Sequence, residues 1–232
     1  MGKVAVISGD IVSSTSLVKE DRLMLNDRLK DLIFHLSVKF DTYGRVLKGD
    51  YVECVCRKPQ ESLAVALAIK SFVKSIEVST GEKSSDKNRI KLFKTHGIRL
   101  AIGYGELPTF DTTNGVIDGE AIYLAGRKIN EQSGRKKKRV VIKQTLFFES
   151  HEELLKEQFD PVMGLLDVLI SKATARQSEV LYWKLMGLNE DEIAEKFGVS
   201  QSVVNQHSTS VGWNAIEDTV AYYNHTVKRH QS

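Results

Sequence analysis

The sequence predicts an α+β sandwich of ferredoxin-like character, followed by an all-α segment that carries a helix-turn-helix. Three observations predict it. Over residues 1–150, short apolar runs and helical-period stretches alternate as β-α-β-β-α-β-α-β, the order of a mainly antiparallel sheet with helices on one face. From about residue 145 the apolar period is continuously helical. Residues 190–207 then carry the residue types that two tightly crossed helices need. The boundary falls near residue 150: an α+β domain over 1–150 and a helical domain over 151–232, with the helix-turn-helix at 174–210.

Val4-Ala-Val-Ile7 is a buried strand that delivers Asp10 to its tip. Between Leu17 and Phe40, apolar residues recur at three- and four-residue steps, which predicts an amphipathic helix. Residues 46–56 read as a β-hairpin turning at Gly49-Asp50, and Pro59 opens a helix whose apolar face runs from Leu63 to Val73. Residues 79–91, rich in Ser and Lys, read as a polar loop. Ile98–Gly105 is a strand, 119–132 a helix, 139–143 a strand and 151–170 a connecting helix.

The 232 residues are 41% hydrophobic and 27% charged, the balance of an ordinary globular protein. No apolar run approaches the roughly 20 residues that cross a bilayer, and the N-terminus turns acidic at Asp10, unlike a signal peptide. The expectation is a cytoplasmic protein with no membrane partner. Cys54 and Cys56 lie two apart on one strand face, a spacing unsuited to a zinc knuckle, and read as small buried hydrophobes. The net charge of +3 is unevenly spread. Residues 1–150 hold 26 Lys+Arg against 18 Asp+Glu, whereas residues 151–232 hold 7 against 12. The run Arg135–Arg139, five cations in five residues, reads as a solvated loop or a phosphate contact. His96 and His207 have no partners at metal spacing.

In the C-terminal part, Asn189 suits a helix N-cap, acidic residues fill the next turn, and Gly198 stands where a left-handed residue must end the helix. Ser200 caps the second helix. Gln201, Ser202, Asn205, Gln206 and His207 of that helix, together with Ser200, are the candidate DNA contacts, since the N-terminal residues of such a helix face base edges and Asn and Gln pair well with adenine. Arginine, the usual guanine reader, is absent, and Lys196 is the one basic residue of 188–210. Protein docking is therefore the competing use. The stretch 174–207 resembles the region-four helix-turn-helix of sigma factors and the related response-regulator DNA-binding domains.

Asp10 and Asp50 converge if the hairpin lies beside the first strand, and converging carboxylates favour a hard cation such as Mg²⁺. Cap and turn roles account for the same two residues equally well. Ile7-Ser-Gly-Asp10-Ile-Val-Ser-Ser-Thr15 resembles the first metal-binding segment of class III nucleotide cyclases, Lys48-Gly49-Asp50 their second, and Gly119–Arg127 their transition-state helix. Gly9-Asp-Ile-Val-Ser-Ser14, the central Gly-Asp, the strand Arg99–Glu106, Asp118-Gly-Glu-Ala121 and a terminal helix-turn-helix together resemble the SatD family, over nearly the whole chain.

The resemblance implies Mg or Mn at Asp10, Ile11 and Asp50, and a nucleotide or phosphate at Ser13, Ser14, Thr15, Lys48 and Arg127. It also implies a homodimer, with Arg127 catalytic only if the chain is an enzyme. Tyr123 stands where the cyclases have a catalytic Asn, Lys48 adjoins the Gly-Asp instead of preceding it by a few residues, and the apolar Val116 falls at a base-selecting position. These departures weigh against cyclisation. The reading from sequence is a transcriptional regulator whose nucleotide- or metal-binding domain controls a DNA-binding helix-turn-helix. A metal-dependent nucleotide cyclase or phosphotransferase and a non-catalytic docking module are the alternatives.

Overall fold

The computed structural model describes residues 2–79, 84–133 and 142–231. Its first part runs β1 (Val4–Ile11), α1 (Lys19–Phe40), β2 (Thr42–Leu47), β3 (Tyr51–Cys56), α2 (Ser62–Ser75), α3 (Ser84–His96) and β4 (Ile98–Gly105). A small hairpin, β5 (Thr109–Asp111) and β6 (Val116–Asp118), leads to α4 (Glu120–Ser133) and β7 (Leu146–Ser150). Five helices complete the chain: α5 (Glu153–Lys172), α6 (Ala175–Leu185), α7 (Glu190–Phe197), α8 (Gln201–Ser210) and α9 (Trp213–Arg229).

The main sheet has the order β2-β3-β1-β4-β7. β1 is antiparallel to both β3 and β4, and β2 is antiparallel to β3, which is the ferredoxin-like arrangement of a βαββαβ chain. β7 adds a parallel edge to β4. The fold class is α+β, as expected.

Alternation along β1 sorts its side chains to two faces. Ala5, Ile7 and Ile11 join Cys54 and Cys56 under α1 and α2, where Leu25, Leu29, Leu32 and Leu36 project at helical spacing. Val6 faces the other way, with Val55 and Ala121. The expectation of helices on one face is thus corrected: α4 covers the second face through Ala121, Ala125 and Ile129. Gly103 permits this, because a Cβ there would lie 2.1 Å from the Ala121 carbonyl oxygen.

The α2 helix is buried nearly all round, since the sheet lies beneath it and α6 above. Phe72 meets Tyr182 edge-on at 4.9 Å, and the Ser62 hydroxyl lies 2.8 Å from that of Tyr223 on α9. One apolar cluster therefore extends from Ile7 through Phe72 to Tyr182 and Tyr223. A buried ion pair crosses the same layer. Lys70 Nζ lies 3.0 Å from Asp167 Oδ1 and donates to Thr145 Oγ1 at 2.6 Å, while Asp167 accepts the Thr145 amide at 2.6 Å.

Two further sequence expectations change, and a third lies mostly outside the described residues. Part of the supposed loop at 79–91 is α3, whose buried Ile90 and Phe93 sit three apart among polar residues. Residues 146–150 are extended, not helical: Leu146, Phe147 and Phe148 suit either period, and pairing with β4 decides. The strand expected at 139–143 is not found at 142–143, and 139–141 lie outside the described residues, as does the basic run 135–139. Among the described residues, no helix is long and apolar enough to cross a membrane.

Candidate functional site

Two turns meet at one end of the sheet. After β1 the chain turns through Ser13, whose φ of 59° is left-handed, into a short 3₁₀ turn at Ser14–Ser16 ahead of α1. Beside it the β2–β3 hairpin closes through Lys48 and Gly49, both with positive φ (52° and 82°), and the Asp50 amide donates to the Leu47 carbonyl at 3.3 Å. The turns are joined twice. The Ile11 amide donates to the Asp50 carbonyl at 3.0 Å, and Ser14 Oγ donates to Asp50 Oδ2 at 2.6 Å.

Between the turns and the start of α1 lies a groove of about 320 Å³. Ser14, Thr15, Lys48, Gly49 and Asp50 form one side, and Lys19, Arg22, Leu23, Leu25 and Asn26 the other. Lys19, Arg22 and Lys48 bring three positive charges against the single carboxylate of Asp50. Lys19 and Arg22 stand at the start of α1, the positive end of its dipole, where Glu20 and Asp21 also lie. The arrangement is suited to an anion. Of the candidate phosphate contacts, Ser14, Thr15 and Lys48 line the groove; Ser13 shapes its turn.

Asp10 lies one step along. It is opposite Tyr51 on β3 and Arg99 on β4. Arg99 Nε donates to Asp10 Oδ1 at 2.9 Å and Nη2 to Oδ2 at 2.7 Å, while Nη1 reaches the Gln132 carbonyl at 3.2 Å near the end of α4. This bidentate pair is mostly shielded, with side-chain exposures of 16% and 20%. The register sets Asp10 opposite Tyr51, the residue after Asp50. The fold does not present two open carboxylates to Mg²⁺ or Mn²⁺, because Arg99 holds both oxygens of one and Ser14 bonds the other. Ile11 buries its side chain in the core. No group of three or more His, Cys, Asp or Glu side chains converges among the described residues. While Arg99 stays in place, Asp10 offers a divalent ion no open oxygen.

Arg127 lies on the exposed side of α4, paired with Glu131 at 3.0 Å, and is not among the groove residues. Its guanidinium pKa is held further up by that Glu131 bond and by Tyr123. Tyr123 is also exposed. Lys19, Arg22 and Arg99 were missed from sequence. The first two are three apart in the first turn of α1, a spacing that puts them on one face; Arg99 is recognisable only from the β1–β4 register.

At the other end of the chain, Asn189 caps α7 in a reciprocal capping box with Glu192, and Gly198 ends it in the left-handed conformation (φ 65°). Ser200 occupies the N-cap position of α8 but makes no capping bond; its hydroxyl lies 2.9 Å from that of Ser202. Val180, Ile193, Ala194 and Val204 pack α6, α7 and α8 together. Ser200, Gln201, Ser202, Asn205 and Gln206 are exposed and His207 partly so. Two of them bond Glu190: Gln201 Nε2 donates to Glu190 Oε2 at 2.6 Å, and Asn205 Nδ2 donates to the same oxygen at 3.2 Å. The local cations lie over aromatic rings, Lys196 over Trp183 at 4.2 Å and Arg176 over Phe197 at 4.7 Å.

No protein-family model matches the chain, and no curated protein matches it. Solved structures similar to it include nucleotide cyclases. A bacterial light-regulated adenylyl cyclase aligns with 13% identity and a TM-score of 0.43, over 63% of this chain and 43% of its own. The guanylyl cyclase domain of the RhoGC fusion protein from the aquatic fungus Blastocladiella emersonii aligns with 18% identity and a TM-score of 0.40, over 54% and 72%. The adenylyl cyclase CyaB from P. aeruginosa aligns with 17% identity and a TM-score of 0.35, over 56% and 72%. The chain thus spans less than half the length of the light-regulated cyclase.

Proposed function

We propose that this chain is a regulator in which the α+β part binds a phosphate-bearing ligand, of the nucleotide class, and thereby sets the state of the α6–α8 unit, which contacts DNA. The observation that carries the reading is the groove between the Ser13–Thr15 and Lys48–Asp50 turns, with Lys19, Arg22 and Lys48 around the first turn of α1. The SatD-like order of motifs supports the pairing of a cyclase-like domain with a helix-turn-helix, and the cyclase resemblance implies a homodimer with two such units for a two-fold operator.

The enzymatic alternative is disfavoured by the Asp10–Arg99 pair, which occupies both oxygens of one of the two proposed metal carboxylates. The docking alternative is supported by one observation: Glu190 ties up Gln201 and Asn205. A carboxylate at that surface repels phosphate and attracts a basic protein partner.

Thermal denaturation of the full chain with each nucleoside triphosphate tests the ligand. A rise of a few degrees with at least one, reduced in Lys48→Ala and in Ser14→Ala, is expected. Indifference to all four, with and without Mn²⁺, would sink the reading. Mobility shifts on genomic fragments test the output, and Asn205→Ala and Gln201→Ala should weaken any complex formed.

A further inference from the structure

A second concave site lies away from that groove, where α3 crosses the C-terminal ends of α2 and α5. It is a hollow of about 480 Å³ lined by four lysines, Lys74, Lys87, Lys91 and Lys94, with Ile90 and Thr95 among its other walls. Lys87, Lys91 and Lys94 follow an i, i+4, i+7 spacing, so their stems leave one face of α3 over about 10 Å of helix.

Lys74 is different in kind. It is 4% exposed, and its ammonium donates to the carbonyls of Lys94 (3.1 Å), Thr95 (2.8 Å) and Ser171 (3.3 Å). That places a fixed positive charge in the wall. Its pKa is pulled down to about 8, first by burial and then by Lys70 behind it, against the attraction of Asp167. Asp167 is committed to Lys70 at 3.0 Å. No carboxylate is found among the described residues lining the hollow. Complementing the C-terminal dipole of α3 explains Lys94 and in part Lys91, but not Lys87, more than a turn further back. Four lysines lining one concavity bring like charges near one another, and an anion with several charges along its length relieves that repulsion.

We propose that this hollow binds a run of consecutive phosphate groups, the chemistry shared by free oligophosphates and by a nucleic-acid backbone. Nothing in this proposal depends on the groove at Lys48.

Titration calorimetry of the full chain with sodium tripolyphosphate at low salt tests it. Wild type should bind, and the surface variant Lys87→Gln/Lys91→Gln should bind about tenfold more weakly, the effect of two lost surface charge contacts. Circular dichroism checks that this variant is folded. Lys48→Gln should retain the binding, and orthophosphate should bind at least tenfold more weakly than tripolyphosphate. Competition with a short DNA duplex separates the sources: displacement assigns the hollow to nucleic acid, and persistence assigns it to a free oligophosphate. No heat with wild type, or unchanged affinity in the double variant, overturns the proposal. Weakening by Lys48→Gln alone would instead place tripolyphosphate in the groove and leave the function proposed above standing.

Discussion

At the scale of single residues, Arg99 decides what Asp10 can do. The two are 89 positions apart in sequence and meet because β1 and β4 pair with Asp10 opposite Arg99. Sequence alone showed Asp10 at a strand tip and, through resemblance, a metal role; it did not show the guanidinium that reaches the carboxylate first. Replacing Arg99 with Gln leaves a largely shielded carboxylate without its bidentate partner, so the folded state should lose about 1–3 kcal/mol in urea denaturation. The same change takes the guanidinium off both oxygens of Asp10. Millimolar Mn²⁺ should therefore raise the melting temperature of Arg99→Gln more than that of wild type, with EDTA reversing the effect. An equal response in both proteins would mean that Arg99 does not hold the site closed.

At the scale of elements, legibility followed the range of the determining interaction. The α7 cap, the left-handed Gly198 and the hairpin turn at Lys48-Gly49 were readable because each is fixed within a few residues. β7 was misread because its three apolar residues are ambiguous until β4 lies beside them, and α3 because two buried residues were hidden among lysines and serines. Glu190 belongs to the same class. It reads as a favourable first-turn acid, yet the crossing of α7 and α8 swings its carboxylate onto Gln201 and Asn205, 11 and 15 residues on. If α8 reads DNA, that contact is inhibitory. Glu190→Ala removes one negative charge and frees two amides, while the Asn189–Glu192 capping box that starts α7 remains. Affinity in titrated mobility shifts should rise about tenfold, a change of about 1.4 kcal/mol. Unchanged or absent DNA binding would favour the docking alternative.

At the scale of the whole molecule, the regulator reading requires that the two ends of the chain share one folded state. The cluster that links Ile7, Phe72, Tyr182 and Tyr223 supplies such a connection: α2 is the upper wall of the sheet core and the floor on which α6 rests. Both tryptophans, Trp183 and Trp213, lie in the C-terminal helices, packed against that cluster. Their fluorescence therefore reports the helical end, whereas far-UV circular dichroism reports the entire chain. With one contiguous core, the two signals should follow a single transition in urea. Phe72→Ala, a truncation on α2 beneath Tyr182, should cost about 3–5 kcal/mol and move both curves together. A ligand of the groove should likewise move both, since stabilising the native state of a cooperative unit stabilises all of it. Should the tryptophans melt apart from the rest, or Phe72→Ala shift one curve alone, ligand binding near Lys48 would have no path through the core to α8.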